Sequence, residues 1–237
     1  MKSYDVIIPA ASKDYVKLRH CVDGLDNLIE KPSNVFIISK KRVNIPGTQW
    51  VSEEEAVGFY PERITCYRNT WIYQQLIKLC QNVTSDWYLS VDSDLILRKP
   101  IHVFKDDNPV FWSNSSPQRH MPYFVFMAKF FGMTSFHDST FICDMMMFNR
   151  QVCQDIVKDK DKFIEMINGS VNKDCLLSEF ELYGNYVKKH NSYPYSFANL
   201  NTTLYGRCSS LVYTYQELTD IINSDTVSDA IAIHSWN

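Results

Sequence analysis

Glycine is scarce in this chain: seven among 237 residues, no two of them closer than eleven positions. That spacing excludes the G-x-G-x-x-G dinucleotide turn, the G-x-x-x-x-G-K-[ST] phosphate loop and the G-x-S-x-G nucleophile elbow. Each of these needs close glycines so that backbone can turn tightly or approach a ligand. The seven cysteines are equally scattered, the nearest pair standing ten positions apart, and no two of the six histidines have H-E-x-x-H spacing. Zinc ribbons, dithiol redox sites and zincins are thereby excluded. An excess of positive charge is also missing. Lys+Arg 24 against Asp+Glu 27 leaves a net charge of -3, which supplies no field for a nucleic-acid backbone. Long apolar runs are absent too: the longest, around Met121 to Phe131, contains Pro122 and Lys129 and is too short to span a bilayer. The odd cysteine count, with no apolar leader before the first strand-like run, predicts a reducing compartment and a cytoplasmic location.

What is present reads as one α/β domain. A hydrophobic fraction of 45 % supports a sizeable core. Tyr4-Asp5-Val6-Ile7-Ile8, closed by Pro9, predicts a buried strand. Leu18, Val22, Leu25 and Ile29 predict one face of a helix after it, and Asn34 to Ile38 a second strand. Such a βαβ opening implies a parallel sheet. Ser52 and Glu55 have the spacing of a helix cap. Further on, the pattern predicts a helix over 70–79 and a strand over 87–91. It also predicts one charged helix near 150–166, a helix from Ser178 to about His190, and a closing strand-like run over 230–234. Residues 111–136 are rich in aromatics without a clean period, as a pocket wall or an irregular core would be.

The strand over 87–91 runs directly into Asp92-Ser93-Asp94. In an extended chain, residues i and i+2 point the same way, so both carboxylates can face one point beyond the strand end, where open α/β sheets hold their ligands. Two adjacent carboxylates repel unless a cation intervenes, and a hard divalent ion, Mg²⁺ or Mn²⁺, is the natural partner. A solvated Asp-Ser-Asp turn is the plain alternative. His234, at the end of an apolar run, is a candidate ligand, or else a hydrogen-bonded edge histidine.

Together, Asp5 to Ala11, Trp87 to Asp94 and Ala232-Ile233-His234 resemble the GT-A (Rossmann-like) fold of nucleotide-sugar glycosyltransferases. Arg68 to Leu79 and Ser178 to Tyr186 look more closely like a small group of such enzymes from large DNA viruses of algae and from bacteria. The resemblance implies a single GT-A domain with a mainly parallel central sheet flanked by helices, residues 1–112 forming the nucleotide-binding half and 113–237 the acceptor side. It implies a hexosyl- or pentosyltransferase that uses Mn²⁺ or Mg²⁺ to move a sugar from a nucleoside diphosphate donor, UDP by resemblance, to a hydroxyl of a glycan or glycoprotein, in the host cytoplasm if the protein is viral. By the same resemblance Asp92, Asp94 and His234 form the metal shell. Pro9, Ala10, Ala11 and Ser12 line the base and ribose, Arg68, Gln74 and Gln75 reach the nucleotide or donor sugar, and Asp92 and Ser93 approach it from the strand end.

Inversion at the anomeric carbon needs a carboxylate to take the acceptor proton. Glu179, in the first turn of the helix after Ser178, is the candidate, with Asp144 in reserve. The apolar face of that helix is set by Leu176, Phe180, Tyr183 and Val187, which predicts Glu179 partly buried and Glu181 turned away from the core. The methionine run after Asp144 suits core filling better than recognition. Two other classes remain open: a haloacid-dehalogenase-type phosphatase with Asp92 as nucleophile, and a carbohydrate-binding protein without turnover.

Overall fold

The β-rich N-terminal run forms β1 (Asp5–Pro9), buried at every position. A 3-10 turn at Ser12–Asp14 leads into α1 (Tyr15–Gly24), and β2 (Val35–Ile38) then lies parallel to β1, completing the βαβ unit. The computed structural model describes residues 2–114, 119–205 and 213–234. Helix α1 stops before the apolar spacing does. Gly24 packs on the backbone of Leu97, where a Cβ would come within 2.9 Å of the amide nitrogen. The chain then makes a 3-10 turn tied down by Asn27, whose amide donates to the Leu97 carbonyl. Ile29 therefore lies beyond the helix and is 45 % exposed, so it does not belong to the predicted face.

Strand β3 (Gln49–Val51) adds in parallel outside β2. Ser52 caps α2 (Glu53–Val57) by accepting from the Glu55 amide, as its spacing predicts. Helix α3 (Asn69–Cys80) buries Ile72, Leu76 and Leu79, and with them Gln75 and Lys78. Strand β4 (Trp87–Val91) pairs in parallel with the free side of β1. There follow β5 (Leu95–Leu97), β6 (Phe104–Lys105), β7 (Asn108–Asn114) and α4 (Met121–Phe131). The aromatic segment lacks a period because it joins a strand to a helix. Phe111, Trp112, Phe124 and Phe126 are all core residues.

Strand β8 (Met145–Asn149) runs antiparallel to β4 and ends a five-stranded sheet of order β3-β2-β1-β4-β8. Its methionines fill the core on both faces, Met146 on one side of the sheet and Met145 and Met147 on the other. The predicted helix over 150–166 is two helices, α5 (Arg150–Val157) and α6 (Lys160–Ser170). Lys158, at φ 53°, breaks the first, and the Asp159 carboxylate caps the second by accepting from the amides of Asp161 and Lys162. The break is masked in sequence because apolar residues recur at helical spacing on both sides of it.

Helix α7 (Glu179–His190) starts at Ser178, whose hydroxyl accepts from the Glu181 amide. The chain closes with β9 (Ser196–Leu200), β10 (Thr202–Tyr205), α8 (Tyr215–Ser224) and β11 (Ala230–Ile233). Strand β11 lies between β10 and β5, and β9 pairs in parallel with β7. The product is a mixed α/β domain. Its central sheet is mainly parallel and covered on both faces, as a parallel sheet with two apolar faces requires. Among the described residues, no helix is long and apolar enough to cross a membrane.

Candidate active site

Because β1 and β4 are parallel and β8 opposes them, the C-terminal ends of the first two and the N-terminal end of the third share one sheet edge. Pro9 to Ser12, Asp92 to Asp94 and Asp144 all stand there. The chain turns after β4, with the Leu95 amide donating to the Asp92 carbonyl at 3.0 Å, and enters β5. Strand β11 pairs antiparallel with β5, and the Ile233 amide donates to the Asp94 carbonyl at 3.0 Å. That pairing delivers His234 to the D-x-D turn, its Nδ1 3.2 Å from Asp94 Oδ2 and its Nε2 3.9 Å from Asp144 Oδ1. Asp144 itself has a left-handed backbone, φ 52°, which Asp tolerates better than most residues, and its carbonyl accepts from the Asp92 amide at 2.8 Å.

Lys78 reaches the same cluster from α3. Its ammonium is 2.5 Å from Asp92 Oδ1 and 2.5 Å from Glu179 Oε1, and it lies 4.2 Å from the centre of the Phe180 ring. Helical spacing places Lys78, with Trp71, Gln74 and Gln75, on or beside a side of α3 other than that of Ile72, Leu76 and Leu79. The structure corrects this for Gln75 and Lys78, which are buried because Asp92 and the start of α7 pack against them. Glu179 is buried, as predicted, but so is Glu181. The expectation that Glu181 faces away from the core is corrected by the segment before β8, which folds over that side of α7. Thr140 Oγ1, the Phe141 amide and Asn185 Nδ2 all donate to the Glu181 carboxylate.

Four carboxylates, Asp92, Asp94, Asp144 and Glu179, thus gather around Lys78 and His234, and the charge of Lys17 also reaches Asp94. Burial pushes the Asp92 carboxyl up to about 7, with Asp144, Asp94 and Glu179 adding to the rise and Lys78 opposing it. Asp144 is raised by burial, opposed by His234 and reinforced by Asp94. At Asp94 burial also acts upward, but the hydrogen bond and charge of His234 prevail and hold it below the usual range. Burial works against protonated His234, yet the Asp94 hydrogen bond and the charges of Asp144, Asp94 and Asp92 bring it up to about 9. Lys78 likewise lies above its ordinary value, because Asp92 and Glu179 outweigh its burial.

These shifts give the ligand-free protein a direction of pH dependence. A histidine raised on folding contributes stability that is complete below its unfolded value, near 6.5, and lost as pH climbs through about 9. A raised aspartate acts in the same sense, its contribution fading as pH rises from about 4 to about 7. The unfolding midpoint in chelator is therefore expected to fall between roughly pH 5 and 9.5, and His234→Ala to flatten the part above about pH 7. Thermal melts across that range check it. Identical curves for the two proteins above pH 7 would remove His234 from the account.

The donor set, carboxylate oxygens with one imidazole, suits Mn²⁺ or Mg²⁺ in type, and the surplus of negative charge suits a cation. As the side chains stand, no three His, Cys, Asp or Glu groups among the described residues converge to hold an ion. His234 is turned onto Asp94 and Asp92 onto Lys78. An ion bound here would compete with those contacts for the same carboxylates.

The remaining predicted residues divide. Pro9 and Ala10 are buried, whereas Ala11 is half-buried and Ser12 exposed, so the latter two offer the accessible surface after β1. Ser93 is buried within the turn. Gln75 borders the cluster: its Oε1 accepts from the Glu179 amide at 3.1 Å, and its buried Nε2 has no hydrogen-bond partner among the described residues. Arg68 lies at the N-terminal end of α3, its guanidinium 4.2 Å from the centre of the Trp71 ring, and Gln74 is half-buried on the same helix. A hollow of about 460 Å³ lined by Trp87, Asn149, Asp155, Tyr186 and Tyr193 lies at the opposite end of β4 and takes no part in this cluster.

No protein-family model matches the sequence, and no curated protein matches it either. Among solved structures, the chain is similar to the galactosyltransferase LgtC in complex with donor and acceptor sugar analogues. That likeness has a TM-score of 0.47 at 12 % identity and covers 97 % of this chain and 86 % of that one. An active-site mutant of LgtC gives a TM-score of 0.48 at 13 % identity with the same coverage. Likeness at this level assigns neither residues nor substrate to this chain.

Proposed function

We propose that the protein is a metal-dependent glycosyltransferase of the GT-A type, moving a sugar from a nucleoside diphosphate sugar, UDP by motif resemblance, to a hydroxyl of a glycan. One observation carries the proposal: at the C-terminal edge of a parallel sheet the Asp94 carboxylate of Asp92-Ser93-Asp94 meets His234, which also borders Asp144, while Asp92 pairs with Lys78, at the same edge as the half-buried Ala11 and exposed Ser12. Open α/β sheets bind nucleotides at that edge. Asp94, Asp92 and His234 would hold the ion, with Asp144 at the border. The ion would offset negative charge on the departing diphosphate. Pairing of His234 with Asp94 and of Lys78 with Asp92 keeps the acidic cluster together before a ligand arrives. Inversion belongs to the same proposal, with Asp144 as the carboxylate placed to take the acceptor proton and Glu179, buried and held by Lys78, as the other candidate.

A thermal-shift series with nucleotide sugars tests this, since a ligand that binds only the folded state raises the midpoint. UDP-sugars are expected to raise it with Mn²⁺ present and to leave it unchanged with excess chelator. Asp94→Ala is expected to lose the shift while still folding. Slow release of UDP without acceptor would separate an enzyme from a carbohydrate-binding protein. An equal shift in chelator overturns the metal assignment, and no response to any nucleotide sugar overturns the whole proposal.

A further inference from the structure

Lys78 is an ionisable group on the buried side of a helix, 5 % exposed. A buried ammonium is costly unless it is well paired, and removal of one partner leaves a charge uncompensated. Lys78 has two carboxylate partners, and they differ in one respect. The Asp92 side chain is 30 % exposed and opens toward the sheet edge, whereas the Glu179 side chain is 6 % exposed behind it. A cation arriving from solvent can reach Asp92 but not Glu179.

Building on the metal-binding reading above, we propose that Lys78 is a positioning residue, the resident counter-ion of Asp92, which gives up that carboxylate when a divalent cation binds and is then kept paired by Glu179. Metal binding on this account exchanges one ion pair for another and leaves no buried ammonium alone. Glu179 influences the metal through Lys78 rather than by direct contact. The arrangement also explains why a second buried acid is placed at the start of α7, held there by the bond from its own amide to Gln75.

The test is a double-mutant cycle read as Mn²⁺ affinity of the nucleotide-free protein, by electron paramagnetic resonance titration. Lys78→Met is expected to tighten binding by about tenfold or more, because Asp92 is freed and an opposing charge is gone. Glu179→Gln is expected to weaken it by a similar factor, because Lys78 then has Asp92 alone. In the Lys78→Met background Glu179→Gln should change affinity by less than about twofold, the signature of an effect transmitted through the lysine. Lys78→Gln provides the same arm if Lys78→Met does not fold. Equal weakening by Glu179→Gln in both backgrounds would mean simple through-space attraction and overturn the proposal, as would unchanged or weaker binding by Lys78→Met. Those results leave the metal reading standing. Absence of Mn²⁺ binding in the native protein and in every variant overturns both.

Discussion

Asp144→Asn is expected to lower turnover at least a hundredfold at saturating Mn²⁺, while Glu179→Gln lowers it by about tenfold or less; loss of a general base costs on the order of 10²–10⁴. The first turn of α7 is where sequence reasoning places the base, but Glu179 there offers an oxygen that already accepts from the Lys78 ammonium at 2.5 Å. Its side chain is also 6 % exposed, against 14 % for Asp144. Burial raises the Asp144 carboxyl above its ordinary value, which moves it toward the range useful for accepting a proton. Assays with an acceptor glycan, with the product anomer read by NMR, check this, and Mn²⁺ affinity measured beside turnover separates a proton-transfer role from a ligand role. A loss by Glu179→Gln as large as that by Asp144→Asn would return the base to Glu179. Retention of configuration would require a different mechanism altogether.

Gly184→Ala is expected to destabilise the protein by about 3 kcal/mol or more, the upper part of the range for overpacking a core. A Cβ at Gly184 would lie 2.3 Å from Phe141 Cγ and within 2.6 Å of both Cδ atoms. The ring has little room to retreat. Phe141 is fully buried, packs edge-on to Phe111 and Phe197, and its amide donates to Glu181. For a domain of this size the unfolding midpoint should fall by roughly 8 °C. Phe141→Leu in the Gly184→Ala background is expected to recover part of the loss. A midpoint within about 2 °C of the native value would show that the segment before β8 yields more easily than its packing implies. The same contact matters for the site, since this segment continues through Cys143 into Asp144.

The strands and helices that frame the site follow from local pattern. Alternation and short apolar runs mark β1, β2 and β4, helical spacing marks α3 and α7, and Ser178 marks the start of α7. The D-x-D turn is legible for the same reason, because its position follows from the strand before it. His234 could be named as a candidate from its place at the end of an apolar run, but its contact with Asp94 depends on β11 pairing antiparallel with β5. The pairing of Lys78 with Glu179 joins residues 101 positions apart, and the Glu181 carboxylate receives its bonds from Thr140 and Phe141, some forty positions earlier. Periodicity within one helix reports which side is apolar. It does not report which polar groups a neighbouring element will bring to that side. Local pattern therefore accounts for β1, β2, β4, α3, α7, the parallel opening of the sheet and the acidic turn but masks the split of α5 from α6, whereas the pairing of each carboxylate and the backbone approaches that leave no room for a side chain arise from tertiary packing. A buried charge is held by partners that chain folding brings from a distance, and no local propensity encodes them.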